Sequence, residues 1–114
     1  MVDASVKGEI KFVEMTDEKS FYIYLPPDHE SAAVKFPVLY HLHGAGIRKK
    51  WVEHDVHWIA TEHEKAVKQG ISAPMIIVGP LDQSKFSMWS DGKDGTNNMA
   101  TLVTSDVRHY VEAY

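Results

Sequence analysis

Chemistry in this sequence is concentrated in His41-Leu42-His43-Gly44-Ala45-Gly46. Glycines after an apolar run let a backbone turn with its N–H groups unpaired and exposed. Such groups can receive the negative oxygen of a tetrahedral acyl intermediate. Two readings are open from the motif alone: an anion-receiving loop, or two glycines that merely make a tight strand-to-helix turn.

Two other groups of polar residues invite a chemical reading. His54 and His57, with Glu53 and His63, suggest a metal site because histidines at i and i+3 share a helix face. The motif is not H-E-x-x-H, however, and these residues fall on a mixture of helix faces, so no metal site is expected. Farther on, Phe86, Met88 and Trp89 lie in a loop after an apolar run and could line an acyl or aromatic pocket. His41 is expected to be a hydrogen-bonded interior histidine rather than a base.

The elements that must position these residues follow from hydrophobic periodicity. Ile10 and Phe12 alternate with Glu9 and Lys11, the pattern breaks at Thr16-Asp17-Glu18-Lys19, and Phe21, Ile23 and Leu25 resume it, which predicts an antiparallel hairpin. Pro26-Pro27-Asp28 ends its second strand. Pro37 to Leu42 is a nearly continuous apolar run and is expected to be a central strand covered on both faces. From Trp51 to Gln69, Val52, Val56, Ile59, Ala60, His63 and Val67 fall on one helical face, and Gly70 can take the left-handed position after the helix. Trp51 and Trp58 are expected to pack, as are Tyr110 and Tyr114. Pro74 to Pro80 predicts a second buried strand, parallel to the first. After a polar loop from Leu81 to Asn98, Met99, Leu102, Val103, Val107, Tyr110, Val111 and Tyr114 recur at helical spacing.

The fold class expected is therefore α/β: a β-hairpin followed by βαβα on one mixed, mostly parallel sheet, in a single partial domain spanning residues 1–114. The pattern is unfinished, because a closing helix in such sheets normally delivers the chain to another strand. An unfinished apolar edge invites pairing, so a dimer or aggregation is expected of it.

Composition excludes several classes of function. A net charge of -4, with Arg48-Lys49-Lys50 as the one basic run, argues against nucleic acid. Without cysteine there is no disulfide, thiolate catalysis or Cys-based zinc site. No stretch approaches the ~18 apolar residues of a membrane span, and no apolar leader follows Met1. If Met1 is the true start, the default location is cytoplasmic.

Across Gly8 to Tyr114 the sequence resembles the esterase D-like family of α/β-hydrolases. The resemblance is carried by Tyr22-Ile23-Tyr24-Leu25-Pro26-Pro27, by Phe36 to Gly46, by Trp51, by Ala73-Pro74-Met75-Ile76-Ile77-Val78, by Ser87 to Gly95, and by the last segment with Asp106, His109 and Tyr110. It implies a carboxylic-ester hydrolase with a Ser-His-Asp triad, no cofactor, and a small ester as substrate. It further implies that Ala45 supplies an oxyanion N–H, that His43 and Gly44 shape the turn, and that Gly46 lets substrate approach. One such hydrogen bond is worth roughly 3 to 4 kcal/mol in the transition state. Trp51, Phe86, Met88 and Trp89 would then border the substrate.

One departure is decisive: no Gly-x-Ser-x-Gly occurs, and Gly70-Ile71-Ser72-Ala73-Pro74 fails at its last position. In the family the serine elbow follows the helix that ends this chain, and the acid and histidine come later still. The 114 residues are thus expected to be the N-terminal portion of such an esterase, inactive alone. The alternative is a complete, non-catalytic binding or scaffold module derived from an esterase. A second departure is Ile47-Arg48-Lys49-Lys50, where the family has small or polar residues; a basic mouth could favour acidic acyl groups, but a solvated loop is the expectation.

Overall fold

A computed structural model describes residues 6–16, 19–27, 29, 36–44 and 48–81. Strands β1 (Glu9–Thr16) and β2 (Lys19–Leu25) form the hairpin, with Phe12 opposite Tyr22 and an irregularity between Glu14 and Thr16. Strand β3 (Val38–Tyr40), helix α1 (Lys49–Lys68) and strand β4 (Ile76–Pro80) follow. The strands form one sheet in the order β1-β2-β4-β3, in which β4 pairs parallel to β3 and antiparallel to β2.

The hairpin, the helix and the parallel pair agree with the sequence reading. Two details differ. Of the three described pairings only β3 with β4 is parallel, because β2 runs against its neighbours on both sides, so the sheet is mixed rather than mostly parallel among the described residues. The strand expected to be central, β3, is an edge among the described strands, because β4 inserts between it and β2. Its side chains are accordingly not fully covered, with Leu39 41% exposed.

The burial code of the strands follows their position. Every residue of β4 is buried, and so are Phe21 to Leu25 on β2, which makes these two the centre of the sheet. Alternation divides their side chains between two faces. Phe21, Ile23, Leu25, Ile76 and Val78 cluster on one; Tyr22, Tyr24 and Ile77 join Val52, Val56 and Ala60 of α1 on the other.

Helix α1 lies close over β4 at Gly79. A Cβ there would come 2.7 Å from a methyl of Val56 and 3.4 Å from one of Val52, so the hydrogen side chain sets the distance between helix and sheet. At its other end α1 stops as the sequence suggests. Gly70 has φ of 76°, the Gly70 N–H donates to the Val67 carbonyl at 3.0 Å, and the Ile71 N–H donates to the Ala66 carbonyl at 2.9 Å. This crossed pair satisfies carbonyls that the helix end leaves open.

Trp51 and Trp58 do not pack in the core as expected: they are 50% and 62% exposed. At about 100° per residue they fall on the side of α1 opposite the stripe of Val52, Val56, Ala60 and His63. The closing helix expected through Tyr110 and Tyr114, and the loop expected before it, fall on residues outside those described.

Candidate functional site

Strand β3 ends at Tyr40, and the His41 N–H still donates to the Val78 carbonyl at 2.8 Å, so the ladder with β4 holds the chain up to the edge of the loop. Because β3 and β4 are parallel, His41 to Gly44 leave the sheet at its carboxyl edge, where ligands bind in open α/β sheets. The His41 Nε2 lies 3.3 Å from Asp55 Oδ2 on the second turn of α1, which ties the start of the loop to the helix that follows it. The Nδ1 of His54 is 3.8 Å from the other oxygen of Asp55.

His43 is buried, and its Nδ1 donates to the Gly44 carbonyl at 2.8 Å. That bond curls the loop on itself immediately after the strand. Gly44 is exposed, and a Cβ built on it meets nothing within 4 Å among the described residues. Its backbone is not in the left-handed region, where among the described glycines only Gly70 lies. Among the described residues nothing covers Gly44, and none of them demands its lack of a side chain. Ala45 and Gly46 lie outside the described residues, as do Phe86, Met88 and Trp89.

The basic run after the loop is not a free mouth. Lys49 and Lys50 are the first residues of α1; the Lys49 ammonium sits 3.7 Å from the centre of the Phe12 ring on β1, and that of Lys50 sits 5.5 Å from the ring of Trp51. Lys49 thus closes over the sheet through a cation–π contact. Trp51, assigned by resemblance to the substrate border, meets His54 edge to face with ring centres 5.8 Å apart.

The histidines of α1 do not gather. Among the described residues no three His, Asp or Glu side chains are placed to hold a metal ion. His63 instead accepts the Met75 N–H on its Nε2 at 3.0 Å, which positions the entry to β4 and leaves the ring proton on Nδ1. Burial lowers its pKa, against the opposing pull of Glu64. No described helix is long and apolar enough to cross a membrane.

A second group of polar side chains lies at the other edge of the sheet, and the sequence gives no sign of it. Glu64 accepts from the N–H groups of Lys7 and Gly8, both at 2.8 Å, and from the Tyr24 hydroxyl at 2.7 Å. Burial alone would raise its pKa, but the Lys7 N–H, the Tyr24 hydroxyl, the Gly8 N–H and nearby His63 outweigh it and hold the carboxyl below its ordinary value. Burial and then Glu64 push the Tyr24 phenol well up. Tyr22, whose hydroxyl lies 3.3 Å from Glu53, is pushed up to about 12, by burial first and then by the Glu53 charge. These groups are structural: two carboxylates and two phenols that fasten the hairpin to α1.

Neither a known family's sequence pattern nor a curated protein matches this chain. A solved structure of a ferulic acid esterase does resemble it, with a TM-score of 0.72 at 20% sequence identity. The likeness covers 96% of this chain and 45% of the esterase, so the chain spans less than half the length of that protein. The described residues make a small α/β unit, a mixed four-stranded sheet with one helix, and the chain is similar in fold to part of an esterase.

Proposed function

We propose that this chain is the oxyanion-loop portion of a serine carboxylic-ester hydrolase of the α/β-hydrolase type. The observation that carries the reading is the position of His43 and Gly44: they leave β3 at the carboxyl edge of the sheet, with none of the described residues over Gly44, in a fold similar to part of a ferulic acid esterase. In this reading the Ala45 N–H receives the carbonyl oxygen of the ester as it becomes an oxyanion, and a second N–H follows the nucleophilic serine. The serine, its histidine and its acid belong to sequence beyond Tyr114, so residues 1–114 alone turn over no ester. His41 and Asp55 hold the loop's first residues against α1 and are positioning residues. Phe86, Met88 and Trp89, with Trp51 at the margin, border the acyl group, and feruloyl esters are the first substrates to try.

The test is Ala45→Pro, which removes the N–H and leaves the side chain small, in the protein as its own cell makes it. A fall in kcat on methyl ferulate of roughly 10²- to 10³-fold with KM little changed is expected. Unchanged kcat in a folded variant rejects Ala45 as the donor.

A further inference from the structure

A cavity of about 510 Å³ lies where β2 ends, β4 begins and α1 finishes. Pro26 follows β2, Pro74 precedes β4, and Val67 sits in the last turn of α1, so the cavity is at the edge opposite His43 and Gly44 and is no part of the loop described above. Its volume is within the range of small-molecule sites. Tyr24, Pro26, Val67 and Pro74 give it an apolar wall.

Its charge is one-sided. Three lysines line it, Lys7, Lys65 and Lys68, against one carboxylate, Glu64. That carboxylate already accepts three hydrogen bonds, two of them from the backbone. His63 is also at the wall, with its Nε2 occupied by the Met75 N–H. Lys65 reaches Glu62 at 3.3 Å, an exposed pair that contributes little and yields readily. Complementing the helix dipole accounts for Lys65 and Lys68 in the last turn of α1. It does not account for Lys7, which comes from the segment before β1 and lines the same cavity.

We propose that this cavity binds a small amphipathic anion, a carboxylate on an aromatic or short aliphatic body, with the charge among the three lysines and the body against Tyr24, Val67 and the two prolines. The site is independent of ester turnover and stands or falls apart from the reading given under Proposed function.

The experiment compares two probes that differ in charge alone in shape-matched form, 2-naphthoate and 2-naphthamide, titrated calorimetrically into the protein as its own cell makes it. Naphthoate is expected to bind about tenfold more tightly at low ionic strength, with the gap narrowing as salt is added. Lys7→Gln, Lys65→Gln and Lys68→Gln combined should close the gap and leave naphthamide binding intact; these exposed changes keep the fold. Val67→Trp, which fills the cavity, should remove binding of both. Equal affinity for the two probes, binding of neither, or a preference for naphthoate that survives the triple change would overturn the proposal.

Discussion

The phenol of Tyr24 donates to Glu64 Oε2 at 2.7 Å, across 40 residues of sequence. It joins the innermost part of the hairpin to the last third of α1, at a carboxylate that also receives the N–H groups leading into β1. One side chain thus fastens three elements that hydrophobic packing alone would leave free to slide. We expect Tyr24→Phe, which keeps the ring and deletes the donor, to cost about 2 kcal/mol of stability, the usual size for a hydrogen bond to a charged group. Urea unfolding monitored by circular dichroism reads it directly; a loss below about 0.5 kcal/mol would mean that solvent takes the hydroxyl's place.

Acid should loosen the same region in two stages. His63 has its pKa lowered from the ordinary 6.5, so the unfolded chain takes up a proton before the folded one does, and stability falls as pH drops from 6.5 toward the folded value. Glu64 has its pKa lowered from 4.5, so its contribution is complete above 4.5 and is lost as pH falls through the folded value. The urea midpoint is therefore expected to hold above pH 6.5, to decline below it, and to decline again below 4.5. Glu64→Gln should flatten the second stage. A midpoint that rises on acidification contradicts both assignments.

Gly79 and Gly44 make opposite predictions from the same substitution. At Gly79 an added Cβ meets Val56 at 2.7 Å, so Gly79→Ala must push α1 off the sheet, at a cost of about 1–3 kcal/mol. At Gly44 nothing among the described residues lies within 4 Å, and Gly44→Ala should leave the thermal midpoint unchanged. In the ester-hydrolase reading it still obstructs the substrate and lowers kcat/KM. Loss of stability at Gly44 would show that the loop is packed where we find it open.

Much of this architecture is legible in the residues, and the failures have physical causes. Alternation at Ile10, Phe12, Phe21, Ile23 and Leu25 defines the hairpin, and the Val52-Val56-Ala60-His63 stripe together with Gly70 defines α1, because both patterns are local consequences of burying one face. Strand order is not local. The apolar run at Pro37 to Leu42 looks like a central strand, yet among the described strands β4 takes the inner place, since pairing depends on which edges meet rather than on composition. Trp51 and Trp58 look like core by residue type, and only the phase of α1 turns them outward. At the candidate site, the loop was legible from His43 and Gly44, whereas Asp55 as the partner of His41 was not, nor was Glu64 as the anchor of the N-terminal segment, because neither contact has a sequence spacing that announces it.

If these residues are the oxyanion-loop portion of a serine ester hydrolase, as proposed above, covalent labelling will find its nucleophile. The protein as its own cell makes it would be treated with a fluorophosphonate and the labelled peptide sequenced, alongside a chain ending at Tyr114. We expect one labelled serine located beyond Tyr114, slower labelling in Ala45→Pro, and no label on the 114-residue chain. A native product with no reactive serine and no turnover of methyl ferulate would rule out the ester-hydrolase assignment and leave the resemblance to an esterase as one of fold alone.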